Sequence, residues 1–464
     1  MKLRDWQRDC LSLARERYAT GQRHFLCLAT PGAGKTHLAS TLATELLAKN
    51  QIDLVVCFAP SIIVADDFQA ALATQSGERF DGRLGAKGLT LTYQAMLTQP
   101  ESFWSLFQTQ RVFAIFDEIH HCAGQGVDDA NAWGVPLITR IQDYASFTLA
   151  LTGTPWRSDQ RPIALARYGT DQVECDYRYG LDRAITDGVC RLPQLTLIDN
   201  DDIYVSRDGH TEHFRSLKAL VSSEACRYEE VLRADSLISY SLGLATRKLN
   251  KLRRSDPNAG GLIVASSVEH AHQVREILHQ QFDINAAIAT YQERDPLSTI
   301  RSFKYGDAPW IVSVGMISEG TNVPRLRVCC HLTRVKTELY FRQVLGRILR
   351  ANGTTGEMAY FYMPAEPTLV EYAERLIEDI PGNQSVVRHT QSSSVSISAP
   401  ETTSPQIDNG NFQSEIDLHI MEPSSELDHR PLPPSTLEAT YDSCVHWSTR
   451  FRSQIMRLQG ITHA

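Results

Sequence analysis

No stretch of the sequence reaches the roughly 18 consecutive apolar residues that a membrane-spanning helix needs. The amino terminus, MKLRDWQRDCL, has no apolar core after its basic residues and no small-residue cleavage site, so a secretory signal is not expected. The ten cysteines form no C-x-x-C pair, which argues against disulfides or a zinc ribbon. These absences predict reduced thiols, a cytoplasmic location and no association with membranes.

The chain also lacks an excess of positive charge. Its formal net charge is −8 at pH 7, so it is not expected to coat nucleic acid through bulk charge. The net charge does not exclude a local basic groove, because a handful of Lys and Arg on one face make the phosphate contacts that govern binding. With 464 residues, of which 42% are hydrophobic and 22% charged, the chain is expected to form two or three globular domains.

Short apolar runs alternate with longer segments of helical character along most of the chain. The runs FLCLA, LVVCFA, LTLTY, VFAIF and FTLALT lie between residues 25 and 152, and GLIVAS, WIVSVG, RVCCHL and MAYFYM follow between 261 and 363. Strands that are apolar on both faces belong to parallel sheets covered by helices. The sequence therefore predicts an α/β fold with two tandem parallel-sheet domains.

Three segments are expected to lie outside these sheets. Residues 186–258 form a predicted mostly helical connector. It ends in five basic residues that form either a solvated helix end or a phosphate-contacting patch, namely Arg247, Lys248, Lys251, Arg253 and Arg254. After Pro381 a Ser/Thr-rich stretch predicts a disordered linker. The final stretch TYDSCVHWSTRFRSQIMRLQG has the spacing of a small docking helix.

A Gly/Pro-rich turn in ATPGAGKT directly follows the first apolar run and precedes a helical segment. Such a turn aims backbone N–H groups and a helix N-terminus at phosphate, while Lys35 would reach the β- and γ-phosphates and Thr36 would bind Mg²⁺. The first position is Ala29, where the strict pattern has glycine. The residues expected to hold ATP are Pro31, Gly32, Ala33, Gly34, Lys35 and Thr36.

The stretch FDEIHHCAG follows another buried strand, about eighty residues after the phosphate loop. In that order Asp117 would hold Mg²⁺ and Glu118 would polarise the attacking water. The alternative is a metal-dependent hydrolase with a site made by His120, His121 and Cys122. The zincin pattern H-E-x-x-H is absent from this stretch, which weakens that alternative.

Five motifs, taken in order, resemble the motif set of superfamily-two helicases. They are ATPGAGKT, DEIH, LTGTPWR at 151–157, VSVGMISEGTNVP at 312–324 and QVLGRILR at 343–350. The likeness is greatest to bacterial and phage DNA helicases and to restriction-type motor subunits of the DEAD/DEAH grouping. It covers residues 1–365 and implies two RecA-like lobes, an ATP-binding domain at 1–185 and a helicase C-terminal domain at 259–365, followed by a tail at 366–464.

The resemblance also implies roles for single residues. Gln7 of LRDWQ would read the edge of the adenine base, although this stretch also fits an amphipathic first helix. Gln343 would position the attacking water, and Arg347 and Arg350 would act as arginine fingers from the second lobe. The residues implied to couple hydrolysis to lobe movement are His120, Thr152, Thr154, Glu319 and Gly320. Those implied to contact nucleic acid are Pro60, Ser61, Thr92, Tyr93 and Gln94.

One position departs from the family pattern E-G-x-D-x-P. Asn322 replaces the acid, so the motif either loses a charge that could pair with a finger arginine or keeps the same hydrogen bond through its amide. The resemblance implies an ATP- and Mg²⁺-dependent motor that acts on nucleic acid, on DNA rather than RNA. The alternatives are an RNA helicase and a nucleotide-gated binding module that recruits a protein partner through the tail.

Overall fold

The computed structural model describes residues 2–121, 141–153, 167–168, 173–207, 210–223, 225–317, 323–351, 356–378, 386–392, 444–448 and 450–458. Among the residues with predicted roles, Thr154, Glu319 and Gly320 lie outside these ranges, as do Cys122 and Asn322. None of the described helices is long and apolar enough to cross a membrane.

The first sheet has six parallel strands in the order β3-β2-β4-β5-β1-β8. Its central strands are buried on both faces, and all five residues of VFAIF are buried, which explains why these runs show no polar alternation. The strands are β1 His24–Ala29, β2 Leu54–Ala59, β3 Gly88–Thr92, β4 Val112–Phe116, β5 Phe147–Thr152 and β8 Tyr177–Tyr179. Two short strands, β6 Arg167–Tyr168 and β7 Val173–Glu174, pair with each other.

Helices follow the strands of this first lobe, as parallel strands require. The second helix begins directly at the phosphate loop, and a single 3₁₀ turn, Ile119–His121, follows β4. The described helices of the lobe are α1 Asp5–Ala19, α2 Lys35–Ala48, α3 Ile62–Ser76, α4 Tyr93–Leu97, α5 Glu101–Thr109 and α6 Leu181–Thr186.

The second sheet has eight strands in the order β13-β14-β12-β15-β16-β9-β19-β17. The strands from β13 to β9 are parallel, and β19 and β17 are added antiparallel at one edge. The strands are β9 Leu192–Asn200, β12 Gly260–Ala265, β13 Ala287–Ala289, β14 Trp310–Ser313, β15 Leu326–Leu332, β16 Met358–Pro364, β17 Val386–Ser392 and β19 Phe451–Leu458.

A further sheet of three antiparallel strands, β10 Ile203–Arg207, β11 His210–Phe214 and β18 Cys444–Trp447, is attached to this lobe. The predicted α/β class with two parallel-sheet domains is confirmed. The described helices of the second lobe are α7 Leu217–Ser222, α8 Tyr228–Leu232, α9 Asp235–Arg253, α10 Val268–Phe282, α11 Pro296–Tyr305, α12 Glu338–Leu349 and α13 Pro367–Glu378.

The prediction of a mostly helical connector is wrong for residues 192–214. This part forms β9, β10 and β11, and only the part from α7 to α9 is helical. β9 pairs in parallel with β16, so the chain enters the second sheet well before residue 259. The apolar residues of LPQLTLIDN gave a valid strand pattern, but the sheet partner that stabilises it lies more than 150 residues later in the chain.

The predicted C-terminal docking helix is also wrong, because the described part of that stretch forms β18 and β19. Phe451, Ile455 and Met456 have helical spacing, yet β19 pairs along its length with β9, whose edge would otherwise expose unpaired backbone groups. Backbone pairing with β9 therefore outweighs the local spacing. Within the predicted disordered linker, residues 386–392 form β17, which pairs with β19.

Candidate nucleotide site between the lobes

The turn between β1 and α2 has the conformation of a phosphate-binding loop. Gly32 and Gly34 have φ of +84° and +98°, a region that glycine enters without steric cost. Gly34 is the N-cap of α2, so the loop leads straight into the positive end of the helix dipole. The predicted ATP-binding residues therefore lie on this loop and on the first turn of the helix.

Lys35 is 9% exposed and forms an ion pair with Glu118 across the end of the sheet. Its Nζ donates to Glu118 Oε1 at 2.7 Å and to the carbonyl oxygen of Ala29 at 3.3 Å. Glu118 has φ of +51°, a strained conformation for a non-glycine residue that costs on the order of 1 kcal/mol. The structure thus brings together the two lobe-1 residues predicted to act in hydrolysis.

The pKa of the Glu118 carboxyl is about 2. Burial by itself raises this pKa. The positive charge of Lys35, the neighbouring His120 and a hydrogen bond from the Gly153 N–H together lower it by a larger amount. That N–H donates to Oε2 at 2.9 Å. The carboxylate is therefore ionised at neutral pH and, while it is paired with Lys35, it is a weak proton acceptor.

His120 connects the Glu118 turn to the end of β5. It is buried, and its Nδ1 lies 3.0 Å from Thr152 Oγ1 and 3.4 Å from Glu118 Oε2. Two of the predicted coupling residues thus meet beside Glu118, and Thr154 follows them outside the described residues. In the described part of the chain, no group of three or more His, Cys, Asp or Glu side chains has the arrangement of a metal site.

Asp117 and Thr36 supply the oxygens expected to bind Mg²⁺. Asp117 is buried at the carboxyl end of β4, where its N–H donates to the Phe58 carbonyl oxygen at 2.9 Å. Thr36 lies half-buried on the first turn of α2. A carboxylate and a hydroxyl are ligands that suit Mg²⁺, which is usually bound through few protein groups together with substrate phosphates. This donor set fits the ion.

Gln7 lies against the phosphate loop. Its Nε2 donates to the Gly34 carbonyl oxygen at 3.0 Å, and its Oε1 accepts from the Arg4 N–H at 2.8 Å. Arg4, which sequence reasoning missed, donates through Nη1 to the Ala33 carbonyl oxygen at 2.6 Å. The interpretation as an amphipathic first helix is confirmed, because α1 buries one apolar face that includes Trp6, Cys10 and Leu11. Recognition of adenine by Gln7 stays a prediction.

The second lobe reaches the phosphate loop through α12 and the residue after it. Gly346 lies so close to Pro31 that a Cβ on the glycine would be 2.7 Å from the proline Cβ. The side chain of Arg350 packs on Gly32, where an added Cβ would lie 2.6 Å from its Cγ. Arg350 therefore lies against the loop that would hold the phosphates, and its role as an arginine finger stays a prediction.

The surroundings of Arg350 are acidic. Burial lowers the pKa of its guanidinium, and the nearby Cys190, Asp67, Glu118 and Asp117 oppose that shift. Gln343 and Arg347 precede it by seven and three positions, so the three residues share one face of the helix and its end. Both side chains are half-buried, and their catalytic roles stay predictions.

The predicted nucleic-acid contacts lie at the carboxyl ends of β2 and β3. Ser61 caps α3 through a bond from the Val64 N–H, Thr92 caps α4, and Gln94 is exposed. Pro60 is half-buried beside Ser61. Tyr93 contradicts its prediction, because its side chain is 1% exposed and its hydroxyl donates to the Asp117 carbonyl oxygen at 2.9 Å. A side chain buried in this way cannot lie against a strand.

Two of the five basic residues at the end of α9 are engaged within their own lobe. Lys248 Nζ lies 4.3 Å from the ring centroid of Tyr360. Arg253 donates to the carbonyl oxygens of Ala259 and Asp307 at 2.7 and 2.9 Å. These contacts argue against a phosphate-contacting role for Lys248 and Arg253, and they also show that neither side chain is simply part of a solvated helix end.

Two family models cover the parts of the chain that meet at this site. Residues 1–157 match the res subunit of type III restriction enzymes, and residues 245–352 match the helicase conserved C-terminal domain. The chain belongs to helicase superfamily two. Its two parallel-sheet domains are the RecA-like lobes of that superfamily.

Similar proteins agree with this membership. An uncharacterized protein of Mycobacterium leprae is 31% identical over 392 residues, which is 81% of this chain and 64% of that protein. The DNA 3'-5' translocase XPB2 of Sulfurisphaera tokodaii is 22% identical over 379 residues, or 75% of this chain and 79% of the translocase. The chain spans only about 64% of the length of the mycobacterial relative.

A solved structure shares the fold. It is a fragment described as an HsdR subunit of a type I restriction enzyme from Vibrio vulnificus, with a TM-score of 0.56 and 16% identity. The match covers 79% of this chain and 65% of the fragment, so it includes both lobes of the superfamily-two fold.

The close contact at Gly346 predicts a selective defect of the helicase-type ATPase. Alanine favours helix formation over glycine by about 0.5–1 kcal/mol, which offsets part of the cost of the added Cβ, so Gly346→Ala should change the thermal midpoint little. The added Cβ must push α12 off Pro31, and a displacement of about 1 Å at a catalytic site costs on the order of 10²-fold in rate. Steady-state ATP hydrolysis should fall by about that factor.

Gly243→Ala is the matched control for this change. Position 243 also lies inside a helix, and a Cβ there would be 3.7 Å from the Phe282 ring, an ordinary contact. Equal hydrolysis rates in the two alanine variants would show that the Gly346–Pro31 contact has no catalytic importance.

The buried hydroxyl of Tyr93 predicts a smaller effect. Tyr93→Phe removes the bond to the backbone of Asp117, and a buried hydrogen bond is worth about 1 kcal/mol, which equals about fivefold in rate. We expect ATP hydrolysis to fall by about that factor. Tyr18→Phe is the control, because the Tyr18 hydroxyl donates to the Thr148 carbonyl oxygen at 2.9 Å in the same lobe. If both variants lose thermal stability and activity equally, the Tyr93 bond serves packing alone.

Proposed function

We propose that this protein is an ATP-driven motor that translocates on DNA or unwinds it. The observation that carries the proposal is the position of Arg350, which extends from the second lobe onto Gly32 of the phosphate loop, beside the Lys35–Glu118 pair. A charge supplied by one lobe to a phosphate site on the other makes hydrolysis depend on how the lobes are arranged.

The described residues suggest a division of labour in hydrolysis. Thr36 and Asp117 would hold Mg²⁺, which when bound neutralises developing phosphate charge. Lys35 would pair with phosphate in place of Glu118. Glu118 would then lose the nearest positive charge while staying buried, so its pKa would rise from about 2 and it would become a better acceptor for the proton of the attacking water.

The coupling of hydrolysis to movement follows from the two-lobe site. Ser61 and Gln94 lie at the carboxyl ends of strands in the first lobe, the edge at which open α/β sheets bind ligands. A strand held there and on the second lobe would be gripped and released as the lobes close and open in each ATP cycle. His120 and Thr152 join this edge to Glu118.

Similarity favours DNA as the track. The translocase from Sulfurisphaera tokodaii bears a name that states a DNA 3'-5' activity, and the first family model is that of a restriction enzyme subunit. The similarity to a restriction enzyme subunit favours a role in defence against phage DNA over one in repair or recombination. The eight cysteines that the structure describes are free thiols, which fits a reducing cytoplasm. The tail from about residue 381 to 464 is our candidate for binding a protein partner.

The test is a panel of ATPase measurements with matched nucleic acids. Single-stranded DNA, duplex DNA and RNA of one sequence are added to the full chain, and Lys35→Ala provides the background rate. We expect DNA to stimulate hydrolysis and ATP to drive displacement of an annealed strand or of a bound protein block. Stimulation by RNA alone would make the protein an RNA helicase. Nucleotide-dependent binding without turnover would make it a nucleotide-gated clamp.

A further inference from the structure

We propose that Arg191 is a positioning residue that fixes Arg350 at the phosphate loop from the point where the chain crosses between the lobes. The proposal rests on the ATPase function proposed above and assigns a structural requirement to it. Arg191 lies between the last strand of the first sheet and the first strand of the second, directly before β9.

The crossover pairs with the segment that carries Arg350. The Arg191 N–H donates to the Leu349 carbonyl oxygen at 2.6 Å, and the Ala351 N–H donates to the Val189 carbonyl oxygen at 3.2 Å. Between these bonds Cys190 and Arg350 form an antiparallel bridge. The backbone of the finger residue is therefore held by the same three residues that connect the two lobes.

The side chain of Arg191 adds a second set of bonds. It is 2% exposed, and its Nη1 donates to the carbonyl oxygens of Ile348 and Leu326 at 3.1 and 2.8 Å. Its Nη2 donates to the Pro324 carbonyl oxygen at 3.4 Å, and its Nε to Glu357 Oε2 at 2.7 Å. One guanidinium thus joins the end of α12, the end of the VSVGMISEGTNVP motif at Pro324, and the residue before β16.

Ile348 is one of the last residues of α12, where carbonyl oxygens have no partner within the helix. A cation is favourable at this end of the helix dipole. Lysine could not replace arginine here, because one ammonium cannot reach four acceptors that a planar guanidinium with five N–H donors contacts together.

A purely stabilising role does not explain such an arrangement well. Removing two charges from water is costly, so a buried ion pair is often no better than apolar packing for stability. The Arg191–Glu357 pair holds the Arg191 guanidinium where it bonds the Ile348 carbonyl oxygen at the end of α12. Arg350 follows that helix end directly, so the pair helps to fix the position of Arg350. On the other side of the crossover, Cys190 Sγ lies 3.8 Å from the Pro31 carbonyl oxygen, so the crossover also contacts the phosphate loop.

Arg191→Lys tests the proposal, with Arg325→Lys as the matched control. Arg325 is also buried in the second lobe and also donates to three backbone carbonyl oxygens, those of Asn258, Phe303 and Ala308. None of these three carbonyl groups belongs to α12. We expect Arg191→Lys to lower kcat for ATP by on the order of 10²-fold at nearly unchanged KM, as misplacement of a catalytic group does. Arg325→Lys should change only the thermal midpoint.

A second readout does not require turnover. Arginine fingers act on the transition state, so retention of ADP with aluminium fluoride should weaken in Arg191→Lys, while binding of ADP alone should not. In an Arg350→Ala background, Arg191→Lys should weaken that retention little further.

Equal losses in Arg191→Lys and Arg325→Lys, or a raised KM at full kcat, would overturn the positioning role. A wild-type chain without ATPase would contradict the proposed function instead, and the retention measurement would still decide the role of Arg191.

Discussion

Replacing Arg350 with alanine is expected to lower kcat for DNA-stimulated ATP hydrolysis by about 10³- to 10⁵-fold. The side chain packs on Gly32 of the phosphate loop and shares its surroundings with Glu118 and Asp117. Arg350 is a charged residue of the second lobe that contacts this loop directly. Its loss should leave nucleotide binding by Lys35 and the loop amides largely in place, so the effect should fall on kcat rather than KM.

Arg375→Ala is the control for this substitution. Arg375 is a half-exposed arginine of the same lobe that pairs with Glu338 and Glu371 on the surface. Surface pairs of this kind are worth about 0–1 kcal/mol, so hydrolysis should stay near the wild-type rate. A kcat for Arg350→Ala within tenfold of the wild-type value would refute the assignment of the finger.

Lys35→Ala and Glu118→Gln should each abolish measurable hydrolysis, and they should differ in nucleotide affinity. Lys35 would pair with phosphate, so its removal should weaken ATP binding. Glu118 holds Lys35 at 2.7 Å and competes with phosphate for it. Glutamine has no charge with which to compete, so Glu118→Gln should bind ATP more tightly than the wild type while it fails to polarise water. Fluorescent-nucleotide titration and ATPase assays measure the two effects.

Lys49→Ala provides the comparison for both variants, because Lys49 is exposed at the opposite end of α2. It should bind and hydrolyse ATP as the wild type does. Weaker ATP binding by Glu118→Gln would contradict the proposed competition for Lys35, and hydrolysis by Lys35→Ala would contradict the location of the site.

Local patterns in the sequence were sufficient for the catalytic half of the site. GAGKT specifies both the turn and the helix that follows, and VFAIFDE specifies a buried strand with acids at its carboxyl end. The structure brings Lys35 and Glu118 together as these patterns indicate. It places His120 and Thr152 beside them, as the family resemblance implied. Order along the chain was informative because parallel strands place their carboxyl ends at one edge of the sheet.

Long-range pairings were not available from the sequence. Tyr93 was assigned to the nucleic-acid surface, because nothing in LTLTYQAM shows that its hydroxyl reaches the backbone at the end of β4, two strands away. Arg191 stands in an unremarkable stretch, and its partners are backbone carbonyl oxygens, which carry no residue type that a sequence pattern could reveal. Strands β9 and β19 likewise pair with each other although some 250 residues separate them in the chain.

The most direct test of the two-lobe motor is the rate of ATP hydrolysis as a function of DNA concentration, measured for the wild-type chain and for Arg350→Ala under the same conditions. The structure predicts a rate that rises with DNA to a plateau in the wild type and stays at background in the variant. A rate that ignores DNA in the wild type, or that rises equally in both proteins, would contradict a site completed by the second lobe.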